Sequence, residues 1–222
     1  MNEEIINYDE MCNRENTNLV RGINFNLGDM HSIILMSRAP DAPYEDEFQE
    51  ENTVLVYEGH DVSQKPGINP KLINQPERTS AGTLTHNGKF HEAAQQFIAG
   101  ERSVEQVKVY EKLQGGIWID HGIFFLTDSW IENDGIRNIF KFKLIATFEN
   151  QFNVKVGDSI PRRKVTPNKI MTKVLKQNGH KCHECGSYDK LVFIHTGTDS
   201  ITSKNVRIFC DKHCVSFQDE VN

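Results

Sequence analysis

The sequence predicts an α+β protein with a curved sheet or barrel and one or two helices over residues 1–157. A small, metal-stabilised module follows over residues 158–222. Three observations predict this. Runs with strand character recur between residues 32 and 144 and are interrupted by one strong helical pattern. Four of the five cysteines lie between residues 182 and 214. Residues 158–222 carry 11 Lys+Arg against 7 Asp+Glu, whereas the remainder carries 14 against 24. A basic segment on an acidic body indicates two parts with different tasks.

The broad class follows from composition. A chain of 222 residues, 37% hydrophobic and 25% charged, has enough apolar material for a core and is not a disordered polymer. No apolar run reaches the ~18 residues of a membrane span. The acidic start, Met1–Ile6, lacks the basic-then-apolar pattern of a secretory signal. The expectation is a cytoplasmic protein without a membrane partner. The net charge of −6 argues against nucleic-acid binding only until the asymmetry is noticed.

Taken in order, residues 1–28 are rich in Asn and Glu and show no clear organisation. Ser32–Ser37 reads as a buried strand, and Thr53–Tyr57 as a second. Residues 62–88 hold three prolines and three glycines and read as a long loop, which in a compact domain is usually functional. Asn87 is a candidate cap for a helix whose apolar positions are Phe90, Ala93, Ala94, Phe97 and Ile98, ended by Gly100. Strands are expected at 107–110, 116–119 and 123–126. Another is expected at 138–144, where apolar and polar residues alternate with period two. Gly157–Lys164 reads as a basic linker. Thr166 and Pro167 look like the cap and first residue of a helix reaching about Gln177.

Cys182-His183-Glu184-Cys185 and Cys210-Asp211-Lys212-His213 are two tight ligand pairs. Cys182, Cys185, Cys210 and His213 can converge on one tetrahedral Zn²⁺, a filled shell and therefore a structural site. Cys214 is the alternative fourth ligand. The equal x2 spacing favours His213.

Between the pairs, Leu191–Ile194 leads into His195, and Asn205 follows ten residues later. Helix, knuckle, strand-end His, loop, Asn and second ligand pair together resemble the HNH (ββα-metal) nuclease family over residues ~160–220. The resemblance implies His195 as general base, Asn205 as its orienter and a catalytic divalent cation (Mg²⁺, Mn²⁺ or Co²⁺). This chain departs from the family where that cation is usually held. Those positions are Ile194 and Cys214 here, which leaves Asp199, Asp211 or His213 as substitutes.

The first part resembles the SRA domain, a PUA-like fold that reads modified cytosine by turning it out of the duplex. The stretches that carry this are Ile33–Arg38, Pro43–Asp46, Val54–Asp61, Gln75-Pro76, Leu84–Gly88, Val109–Lys112, Gly116–Trp118 and Phe140–Phe142. The resemblance implies an aromatic clamp of Tyr44 and Tyr57, with Asp46 (or Glu47) accepting from the cytosine amine. Arg78 and His86 in the long loop, and Arg162, Arg163 and Lys164 in the linker, are candidate phosphate contacts. Trp118, Asp120 and His121 lie in a matching stretch without an evident role.

Together the two resemblances imply a modification-dependent restriction endonuclease acting on double-stranded DNA with 5-methylcytosine or 5-hydroxymethylcytosine. Cutting both strands implies a homodimer. The alternative is a non-catalytic reader of modified DNA with a degenerate HNH domain.

Overall fold

The computed structural model describes residues 3–27, 31–148, 153–196 and 200–214. The fold is mixed α+β with a largely sheet core. In chain order its elements are β1 (Glu3–Asn7), α1 (Tyr8–Arg14), β2 (Ile23–Asn24), β3 (Ser32–Met36), β4 (Glu47–Gln49) and β5 (Val54–Glu58). A single 3-10 turn (Pro70–Leu72) precedes α2 (His86–Ile98), β6 (Glu105–Gln114), β7 (Ile117–Asn133) and β8 (Asn138–Ala146). The chain then forms α3 (Asn168–Asn178), β9 (Leu191–His195) and β10 (Val206–Cys210).

β7 organises the sheet. One of its edges pairs β6 over residues 117–126, and the other is shared by β1 along residues 117–120 and β8 along residues 124–133. From β6 the sheet runs on through β3 to β2, and from β8 through β5 to β4. Its two ends curl toward each other. Ile34 and Met36 of β3 therefore share one buried cluster with Leu55 and Tyr57 of β5 and with Phe90, Ala93 and Ala94 of α2. Burial of a large apolar side chain contributes about 1.5–3 kcal/mol, which is why α2 holds to the sheet through this one face.

The two runs expected at 116–119 and 123–126 are one strand. Between them β7 carries an extra residue against β6, with Gly122 at φ +71°. Glycine adopts that conformation without a Cβ penalty, so the strand bulges instead of ending.

Two helix starts also differ from expectation. Thr85, not Asn87, caps α2, its hydroxyl accepting from Gly88 N at 3.1 Å. Asn87 lies inside the helix, where its amide group accepts from His60 N (2.8 Å) and donates to His60 O (2.9 Å). Pro167 is the cap position of α3, while Thr166 N donates to the Glu3 carboxylate at 2.7 Å.

The amino-terminal segment, unreadable as sequence, links the β9–β10 hairpin to the main sheet. β1 pairs β7 on one side and β9 on the other, so the β9–β10 hairpin extends the main sheet. A second buried cluster lies there, formed by Met171, Val174 and Leu175 of α3 with residues of β9 and β10 and with Ile119 of β7. No helix among the described residues is long and apolar enough to cross a membrane.

Candidate functional site

Three arrangements carry chemistry: a basic cleft with an aromatic cluster at its wall, a thiol–imidazole group, and a buried ionic lock where the sheet meets α3.

The long loop folds against the start of α2 and encloses a cleft of about 750 Å³. Arg21, Lys65, Arg78, His86 and Lys89 line it, together with His60 and Asp61. Arg78 and His86 were expected here. Arg21, Lys65 and Lys89 were not, and single dispersed cations give no sequence signal. Asp61 is already engaged by Arg137 (2.6 Å) and Lys71 (3.1 Å), so the wall is cationic in effect.

His60 stands against both expected clamp residues. Its ring stacks on Tyr44 at 6.0 Å and 15°, and lies 6.4 Å from Tyr57 at 57°. Burial is the main cause that pulls its pKa down to about 4, so it is neutral at physiological pH. Tyr57 is a core residue, 1% exposed, with its hydroxyl 3.3 Å from His60 Nε2. The two tyrosines expected from the sequence to clamp a base therefore both lie against His60. Tyr44 is half-buried and has the Lys71 ammonium over its ring at 4.3 Å.

Asp46 lies beside this cluster and accepts from Glu58 N at 3.0 Å. Burial raises its pKa to about 7, the neighbouring Glu58 charge adding to the rise, so it changes charge near neutrality. Glu47, the fallback, is exposed at the start of β4.

One of the three linker cations, Arg163, departs from expectation. Arg163 is buried, donates from Nε to Thr147 O at 2.9 Å, bonds the His121 carbonyl and lies 5.4 Å over the Phe124 ring. It braces the fold and is not a surface phosphate contact. Arg162 and Lys164 are exposed and paired with Glu50 and Glu51. Such surface pairs are weak and exchangeable.

Cys182, Cys185, Cys210 and His213 place their ligand atoms within 4.8 Å of one another. The separations are 3.8 Å from Cys185 Sγ to Cys210 Sγ, and 3.6 and 3.4 Å from His213 Nδ1 to Cys182 and Cys210 Sγ. A tetrahedral zinc with Zn–S of ~2.3 Å and Zn–N of ~2.0–2.1 Å sets S···S edges near ~3.8 Å and S···N edges near ~3.5 Å. The residues fit the ion. Burial opposes the Cys182 thiolate, but backbone N–H donors from Cys185, Cys210 and Glu184 outweigh it and bring the pKa to about 6. His213 is the fourth member, while Cys214 lies in the apolar cluster. Zinc here would crosslink the knuckle to the end of β10, with all four positions filled by protein.

His195 ends β9, and its buried Nε2 has no hydrogen-bond partner among the described residues. Asn205 sits at the same hairpin end but holds the loop. Its Oδ1 accepts from Thr202 N (2.7 Å) and Nδ2 donates to Ser200 O (3.1 Å). Ile194 and Cys214, where the family holds its cation, are both buried in apolar surroundings. Of the proposed substitutes, Asp211 is exposed and pairs with Lys190 at 3.5 Å, His213 belongs to the thiol group, and Asp199 lies outside the described residues. The described residues thus do not fit a catalytic divalent cation.

His121, which had no role in sequence, is the centre of the lock. Its Nδ1 lies 3.2 Å from Glu3 and its Nε2 2.9 Å from Glu111. Both ring nitrogens face carboxylates, so both carry protons and the ring is an imidazolium. Arg38 bonds both Glu111 oxygens at 2.9 and 2.8 Å, and Asn168 donates to the same carboxylate at 2.7 Å. Burial alone would raise Glu111, but His121 and Arg38 hold it at about 2. This lock ties β1, β6 and β7 to the start of α3.

No protein-family model matches the chain, and no curated protein matches it. Similar solved structures include the SUVH5 SRA domain with fully methylated CG DNA, at 18% identity and a TM-score of 0.37, covering 60% of this chain and 77% of that one. The same domain bound to fully hydroxymethylated CG DNA matches at 20% identity and 0.37, covering 61% and 79%. KRYPTONITE in complex with mCHG DNA and SAH matches at 14% identity and 0.41, covering 71% of this chain and 34% of that one. With TM-scores below 0.5 the likeness is loose, and the site stands on this chain's own residues.

Proposed function

We propose that the protein binds double-stranded DNA at the basic cleft and reads a 5-methyl- or 5-hydroxymethylcytosine turned out of the helix. The observation that carries this reading is a cationic cleft whose wall, at His60, leads directly to an aromatic ring and a carboxyl group poised near neutrality. Arg78 and Lys65 meet phosphates. His60 leaves the Tyr44 ring, and the everted base takes its place. Asp46, when ionised, accepts from the cytosine amine. Turning the base out costs a few kcal/mol, and stacking on an aromatic ring returns ~1–3 kcal/mol.

Two consequences follow for binding. Tyr44→Ala is expected to weaken binding of a modified duplex by roughly 5- to 150-fold while changing an unmodified one little. Because the ionised form of Asp46 predominates only above its pKa of about 7, affinity for the modified duplex falls as pH drops below 7, and Asp46→Asn removes that dependence. Fluorescence anisotropy between pH 6 and 8 measures both. A Tyr44→Ala protein that still discriminates normally contradicts the assignment.

The carboxy-terminal module, an HNH-like scaffold held by zinc, serves in this reading as a second grip on DNA without hydrolysis. A specific observation favours the nuclease reading instead: His195 Nε2 is buried and unpartnered among the described residues, as a strand-end general base awaiting water would be. Incubating modified plasmid with Mg²⁺, Mn²⁺ or Co²⁺ decides between them. The reader account expects no cutting by the natural chain, and hydrolysis only after Ile194→Asp with Cys214→Asn. Modification-dependent cutting by the natural protein establishes the nuclease, and with it a pairing of two copies for double-strand breaks.

A further inference from the structure

His86 is the counterpart of His121. Where His121 faces two acceptors, His86 faces two donors. Its Nδ1 accepts the Phe25 backbone N–H at 3.1 Å, and Arg21 Nη1 lies 3.1 Å from its Nε2. A neutral imidazole bears one N–H and one acceptor nitrogen. Phe25 N is fixed by the backbone next to β2, so Nδ1 is the acceptor and Nε2 carries the proton. That N–H and the guanidinium then point at one another. The opposition is relieved when Arg21 shifts slightly and one acceptor is shared between the two donors.

We propose that Arg21 and His86 form a two-donor site for a phosphate oxygen, supplied by a DNA backbone phosphate in the cleft. The surroundings suit an anion of that strength. Lys89 lies close enough to act on His86 electrostatically, and Lys65 and Arg78 line the same cleft. Among the described residues Arg21 pairs with no carboxylate. The site is also preorganised. His86 opens α2, a 13-residue helix, and its ring is pinned by Phe25. Burial foremost, then Arg21 and Lys89, hold the His86 pKa below its ordinary value. A bound anion reverses the electrostatic part of that, which gives the site its own readout.

The source of the phosphate rests on the reading of the cleft given above; the site itself does not. The test is ¹⁵N NMR of the His86 ring in the full chain at fixed ionic strength, with chloride as the control. Inorganic phosphate is added in one arm and an unmodified duplex in the other. Both are expected to raise the His86 pKa by about one unit, and Arg21→Gln, which leaves the Phe25 contact intact, abolishes that rise. In DNA binding, Arg21→Gln weakens modified and unmodified duplexes alike and reduces the salt slope by about 1. No response to inorganic phosphate overturns the site. A response to phosphate but none to duplex sustains the site and overturns the assignment of the cleft to DNA.

Discussion

Removing zinc is expected to unfold the carboxy-terminal hairpin while the main sheet survives. One equivalent of metal per chain should be present. Chelation, or Cys182→Ser, should abolish hydrogen-exchange protection in Val206–Cys210 and leave Phe140–Leu144 protected. The reason is topological. Among the described residues, the β9–β10 hairpin is hydrogen-bonded to the rest of the sheet through the short β1 pairing, Glu3↔Phe193 and Glu4↔Val192, and otherwise packs on α3 and Ile119. Zinc binding in small modules supplies an apparent ~10–16 kcal/mol, far more than such a pairing. The fourth ligand is tested in the same experiment. His213→Ala should lose the metal and Cys214→Ala should keep it. Retention of zinc and protection by His213→Ala contradicts the assignment.

The second large effect is expected at His121. Replacing it with Phe leaves the Glu3 and Glu111 carboxylates buried without the cation between them. Breaking a buried pair by removing one partner costs about 3–5 kcal/mol, which for a chain of this size lowers Tm by roughly 10 °C. The pH dependence has a defined sign. Glu3 and Glu111 are lowered from their ordinary values, so their contribution is present above the ordinary carboxylate range and is lost as pH falls through the folded pKa, about 2 for Glu111. Burial alone would lower His121, but Glu111 and Glu3 raise it. Its contribution is therefore present below its ordinary value of 6.5 and is lost as pH rises through the raised one. The lock is strongest between about pH 4.5 and 6.5. Thermal melts of the natural chain and His121→Phe should differ most in that window. A variant that melts within 2 °C of the natural chain across it contradicts the role.

What could be read in the sequence was whatever repeats locally. The alternation at 138–144 became β8, and the helical spacing from Phe90 to Phe97 became α2. The two ligand pairs gave the thiol–imidazole group because a metal needs only spacing and residue type. Pairings made at long range were not legible. β1 has five residues with no periodicity to reveal it, yet it pairs both β7 and β9. Glu3, Glu111 and His121 meet across 118 residues, and only the folded chain shows that the histidine is charged. Tyr44, Asp46 and Tyr57 were named from the sequence, whereas the contact of both tyrosines with His60, which lies in the same matching stretch as Tyr57, was not.

The reading of an everted modified cytosine is tested most directly by titrating the protein with three duplexes that differ at one position: cytosine, 5-methylcytosine or 5-hydroxymethylcytosine. Salt must be held constant, since phosphate contacts make affinity steeply dependent on it. Binding at least about tenfold tighter to a modified duplex, a difference of ~1.4 kcal/mol, is the predicted result. Equal affinities for all three would contradict it.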